Sequence, residues 1–206
     1  MYLEKVSKKE LDKIFKNSTD RSTFISTYPY LGTDNNNKYY KDFINANISN
    51  KKYKLQEDAI ELSLCANIFN LAYVDIIDKI IHSRRTPWIK LLCLDWLNFF
   101  FDKIPLHLYN DLNLIAKKHN HEFLKLQGML NLMVFNPDKT LIEEALETVK
   151  ASMNNTLYYR FIHSYIDNNL NKILPSEVNY GINNLITSSN TLTDSQKTEL
   201  IHLLSA

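Results

Sequence analysis

Ile104-Pro105-Leu106-His107, Asn136-Pro137-Asp138-Lys139 and Leu174-Pro175-Ser176-Glu177 set three of the five prolines at the same point of three successive segments. Each proline closes one apolar run and opens another with helical spacing. Proline suits the first position of a helix, where its missing N–H has no partner to lose and its fixed φ is already helical. The intervals, 32 and 38 residues, fall in the range of two-helix repeats. The expected fold is all-α: a short right-handed solenoid of antiparallel helix pairs with an irregular N-terminal cap.

Composition agrees. Apolar residues make up 45% of the 206 residues, and only Gly32, Gly128 and Gly181 are glycine. Strand proteins need turn glycines at short intervals. Net charge is +1, from 24 basic and 23 acidic residues, without the basic excess of a nucleic-acid binder. Arginine, the usual bidentate phosphate ligand, occurs only at 21, 84, 85 and 160. Cys65 and Cys93 sit in apolar runs and read as reduced, buried thiols of a cytoplasmic protein. The opening Met1-Tyr2-Leu3-Glu4-Lys5 has no apolar core of a signal peptide. Leu91–Phe101, the most apolar stretch, carries Asp95 and Asn98 and is too short to span a bilayer.

Outward from the prolines, the chain reads as one domain, or one solenoid with a differently built end: an N-terminal cap over 1–54 and helical repeats over 55–206. Ser7-Lys8-Lys9-Glu10 has the form of a capping box and opens a helix at 7–16. Residues 17–38 are polar, turn-forming material with embedded aromatics, read as a loop. A helix over 38–48 follows. The periodic run 56–82 is long for one helix and divides near Asn70. Further helices are predicted at 87–102, 105–118, 121–135, 138–152, 155–170, 176–188 and 194–205, the last opened by the box-like Thr193-Asp194-Ser195-Gln196. Leu92, Cys93, Leu97, Met129, Phe161 and Ile162 are expected in the core. Trp96-Leu97-Asn98-Phe99-Phe100-Phe101 reads as buried on more than one side.

Trp88-Ile89-Lys90-Leu91-Leu92-Cys93-Leu94 aligns without gaps with Phe123-Leu124-Lys125-Leu126-Gln127-Gly128-Met129. The apolar–basic pair with a small residue three positions on, Cys93 or Gly128, resembles the second helix of a HEAT or armadillo-like repeat. Leu157–Ile162 departs from that pattern, lacking both the basic and the small residue. The resemblance implies stacked helix pairs with an extended inner surface, not a function.

Catalytic and metal motifs are absent. His119-Asn120-His121 supplies two ligands where zinc needs three or four. His163 and Asp167 share a helix face, with no nucleophile assigned beside them. Glu143, Glu144 and Glu147 read as a solvated face, with an acidic patch for a basic partner as the alternative. Arg84-Arg85 beside Trp88 is either an anion or partner anchor or a helix C-terminal charge pair.

The function expected is protein binding without catalysis, cofactor, metal or membrane contact. Asp95, Asn98, Gln127, Asn131, Arg160, Ser164 and Asp167 are the candidate contacts on the inner helices. Tyr28 and Tyr30, with Tyr39 and Tyr40, are those of the cap. In general character the chain resembles bacterial immunity proteins, which implies a toxin domain as the single partner. If that toxin is a nuclease, its basic cleft favours Asp95, Asp167 and the Glu143–Glu147 patch. The alternatives are a HEAT-like nucleic-acid-binding or DNA-repair protein, disfavoured by the charge balance, and a phage or structural adaptor.

Overall fold

The computed structural model describes residues 6–27, 36–136, 138–152, 154–167 and 176–205. Among them the chain is all-α, with twelve α-helices, one 3-10 turn and no strand. The helices are α1 (Lys8–Lys16), α2 (Ser18–Thr27), α3 (Asn37–Asn47), α4 (Tyr53–Cys65), α5 (Ala72–His82), α6 (Pro87–Phe99), α7 (Leu106–Lys117), α8 (Glu122–Phe135), α9 (Lys139–Ser152), α10 (Asn155–Asp167), α11 (Ser176–Ser188) and α12 (Asp194–Ser205). Pro87 occupies the first turn of α6 and Pro105 directly precedes α7; Pro137 and Pro175 lie outside the described residues. Contacts cluster into two compact units, 1–105 and 106–206. The boundary expected at 54/55 falls inside the first, where α3 packs on α4.

The first unit departs from expectation at 18–27, which is helix α2 rather than loop. Ser and Thr are modest helix formers, so tertiary contacts make this helix. Asn17 Oδ1 accepts from the N–H groups of Thr19 at 2.9 Å and Asp20 at 3.2 Å, satisfying donors that a helix start leaves unpaired. Arg21, Phe24 and Ile25 face inward. The buried Arg21 guanidinium meets the fully buried Asp58 carboxylate of α4 at 2.6 Å and donates to the Phe15 carbonyl at 2.9 Å. Ser22 Oγ donates to the other Asp58 oxygen at 2.9 Å, and Lys54 lies 3.2 Å from it. Tyr39 and Tyr40 pack around Phe15. They belong to this core rather than to a contact loop.

The long run 56–82 is broken at Asn67, whose φ is +51°. The Asn67 N–H donates to the Leu64 carbonyl at 3.0 Å, and the Ile68 N–H to that of Ser63 at 2.8 Å. That pair of bonds is a Schellman motif, with asparagine tolerating the left-handed conformation that glycine otherwise supplies. Trp96 and Leu97 of α6 and Phe100 just beyond its end are fully buried, the Trp96 indole N–H donating to Ser63 Oγ at 2.7 Å. Phe99 and Phe101 are exposed, so the run 96–101 is buried on one face only. Leu92 is half-buried, while the other five expected core residues are buried.

In the second unit, α7 and α8 pack antiparallel: Gly128 lies against Ala116 and Lys117, and Asn131, one turn on, against Asn113 and Tyr109. A Cβ on Gly128 would stand 2.6 Å from the Asn113 carbonyl oxygen and 2.6 Å from the Lys117 nitrogen. The close approach therefore requires glycine. Beyond this pair, α8 contacts α9 and α10, α9 contacts α10 and α11, and α12 contacts α10 and α11. Met129, Met133, Phe161, Ile162, Tyr165 and Ile182 share the core between them. The Thr193–Gln196 pair closes as a capping box, each backbone N–H donating to the other's side chain.

Two tests follow from this packing. Gly128→Ala should lose more than about 1 kcal/mol, because backbone atoms cannot rotate away and the clash outweighs a helix-propensity gain of about 1 kcal/mol. Gly181, inside α11 with nothing within 4 Å of a built Cβ, should gain about 0.5–1 kcal/mol as alanine. Opposite shifts in urea midpoint would bear this out. Arg21→Ala should cost about 3–5 kcal/mol by the same measurement, since it strands a buried carboxylate; a loss below about 1 kcal/mol would mean the pair is solvated.

Candidate functional site

The expected contact residues fall in both units and differ in burial. Asp95 and Asn98, half-buried on α6, belong to the first unit, and the rest of the inner set to the second. Tyr28 and Tyr30 lie outside the described residues. Gln127 and Asn131 are buried and cannot meet a partner. They form a ladder instead. Arg160 Nε donates to Gln127 Oε1 at 2.7 Å, Gln127 Nε2 to Asn131 Oδ1 at 2.7 Å, and Asn131 Nδ2 to Asn113 Oδ1 at 2.8 Å. Asn113 Nδ2 then donates to the Tyr109 carbonyl at 2.8 Å, and the Tyr109 hydroxyl to the Asn131 carbonyl at 3.0 Å. Polar groups buried in this way must be paired, and here they tie α7, α8 and α10 together. Ser164 is half-buried and Asp167 exposed on α10.

A cleft of about 670 Å³ opens beside α9 in the second unit. Ile142, Ala145 and Val149 bury one face of that helix. The opposite face presents Thr140, Glu143, Glu144, Glu147, Ala151 and Ser152 to the cleft, with Glu122 and Lys125 of α8 across from it. Spacings of three and four place these residues on one stripe. Glu144 is held by Lys117 at 2.8 Å, and Glu143 lies 3.7 Å from the exposed Lys139. Surface pairs of the latter kind neutralise little. Glu122 and Glu147 have no cation partner among the described residues. Glu143 and Glu147, four apart, repel each other by about 0.2–0.5 kcal/mol within the helix. Such a stripe is suited to receiving positive charge. The α9 carboxylates were visible in the sequence as a helix face; Glu122 and Lys125 were missed, because their partnership with α9 is tertiary.

His119 Nδ1 accepts from the His121 N–H at 3.0 Å, a local turn contact, and the His163 ring packs on Tyr159. No group of three or more His, Cys, Asp or Glu among the described residues is placed to hold a metal ion. Burial pushes the Cys65 thiol up to about 11, helped by Glu61, and raises Cys93 further, so neither is a ready thiolate. Tyr39 is pushed up to about 12 by burial and by its hydrogen bond to Asp12. No helix among the described residues is long and apolar enough to cross a membrane.

No family model matches the chain, and comparison with curated proteins and with solved structures finds no significant match. The surface itself therefore carries the functional argument.

Asn131→Ala should destabilise by about 1–3 kcal/mol, leaving Gln127 and Asn113 groups buried without partners, whereas Asp167→Ala should stay within about 0.5 kcal/mol. Equal small effects in chemical denaturation would mean that the ladder is open to water.

Proposed function

We propose that this chain is a non-catalytic protein-binding module of the bacterial immunity type, which neutralises a toxin domain by covering a basic surface. A HEAT-like solenoid is the scaffold we infer for it; the contacts α8–α10–α12 and α9–α11 agree with stacked helix pairs. A cytoplasmic setting suits its two free thiols.

The observation that carries the reading is the carboxylate row along the α9 cleft, in which Glu122 and Glu147 have no cation among the described residues and Glu143 has only an exposed lysine at 3.7 Å. Carboxylates at successive helical turns offer a nuclease-type cleft the charge it is built to receive, and complementary charge speeds encounter and excludes wrong partners. Weight thus moves from the inner stripe, where Gln127 and Asn131 are buried, to the α9 face. Asp167 remains exposed on α10 as a secondary contact.

The partner is identified by pull-down from the native host with mass spectrometry, and its affinity is then measured by calorimetry. The double variant Glu143→Lys/Glu147→Lys should lose about 2 kcal/mol or more, and binding should weaken with salt. Asp167→Lys should lose less. Wild-type affinity in the double variant would exclude the α9 face, and turnover of a nucleic acid or nucleotide by the isolated chain would exclude the non-catalytic reading.

A further inference from the structure

In the first unit, Arg85 of the turn Arg84-Arg85 reaches across to the start of α4. The Arg85 guanidinium lies 3.9 Å from the centre of the Tyr53 ring, and its Nη1 donates to the Lys51 carbonyl at 3.5 Å. This contact joins two segments 34 residues apart in sequence, and it puts Lys51, Lys52 and Tyr53 at the start of α4 beside Arg84, Arg85 and the start of α6. Trp88 follows in the first turn of α6. It is 69% exposed and Tyr53 is 56% exposed, unusually open for rings of this size.

The charge here is uncompensated. Lys51, Lys52 and Arg84 are exposed and have no acidic partner among the described residues. Neither α4 nor α6 has a side-chain cap or an acidic residue in its first turn, so the positive ends of two helix dipoles add to the four side chains. Tryptophan, tyrosine and arginine are also the residue types that dominate binding energy at protein interfaces.

We propose that Lys51, Lys52, Arg84, Arg85, Tyr53 and Trp88 form a second docking surface, which receives an acidic protein segment containing an apolar side chain. The carboxylates would meet the cations and helix starts, and the apolar group the Trp88 ring. A protein segment is favoured over a nucleic acid because Arg85 already covers one face of Tyr53, which leaves Trp88 as the principal open stacking ring. Single-strand binders use several such rings in succession. The surface belongs to the first unit, shares no residue with the α9 cleft, and does not rest on the immunity reading.

The test uses the full chain and a Glu-rich decapeptide with two central leucines, followed by tryptophan emission. Trp88 is the exposed reporter and Trp96 the buried reference. The peptide should shift the Trp88 emission, and affinity measured by calorimetry should fall at least about tenfold in Lys51→Glu/Arg84→Glu and in Trp88→Ala. Lys8→Glu/Lys9→Glu, which alters exposed lysines on α1, should change it less than about twofold, and Glu143→Lys/Glu147→Lys should not weaken it. Unchanged circular dichroism confirms that each variant is folded; Lys51→Ala/Lys52→Ala replaces the charge reversal if it is not. Three results would overturn the proposal: no binding at low salt, an equal loss in the α1 control, or tighter binding of a thymidine decanucleotide than of the peptide.

Discussion

Asp58 is a charge with no access to water, and the first unit is organised around that fact. A buried carboxylate costs several kcal/mol unless its charge and lone pairs are met. Three donors from two helices meet it: Arg21 and Ser22 from α2, and Lys54 one turn away on α4. The arrangement works in both directions. Asp58 is tolerable because α2 is present, and α2, rich in Ser and Thr, is helical because its arginine and two apolar neighbours are claimed by α4 and the core. The second unit solves its own buried-polarity problem with amides and one arginine rather than an ion pair.

Much of the fold was legible in local sequence. Proline positions, capping boxes and 3.6-residue periodicity located eleven of the twelve helices, because each signal acts within one or two turns. The misses share a cause. Residues 18–27 looked like a loop because Ser and Thr favour turns, yet Asn17 and Asp20 were a start signal in plain view. Gln127 and Asn131 looked solvated because amides usually are; their burial depends on Asn113 and Arg160, remote in sequence. The Arg85–Tyr53 contact is likewise invisible to any window shorter than the segment it spans.

Net charge concealed an uneven distribution. Residues 1–105 carry sixteen basic and thirteen acidic side chains, and residues 106–206 carry eight and ten. The near-zero total speaks only to a polyanion-binding stripe along the whole chain. It was silent about local fields, which arise where uncapped helix starts coincide with lysine and arginine, or where glutamates recur on one face of α9. For a binding protein these local fields matter more than the sum, since screening confines each to about 8–10 Å in physiological salt.

The amide ladder also has a direction. Every link, from Arg160 through Gln127 and Asn131 to Asn113 and the Tyr109 carbonyl, donates the same way. An isolated row of amides would be equally content reversed, with each side chain rotated to exchange oxygen for nitrogen. Guanidinium has donors and no acceptor, and a backbone carbonyl accepts and donates nothing, so the two ends of the row demand the same orientation of the three side chains between them. Reversing the row would set an amide oxygen against a carbonyl at one end and an amide NH2 against a cation at the other, so the core holds a single polar isomer.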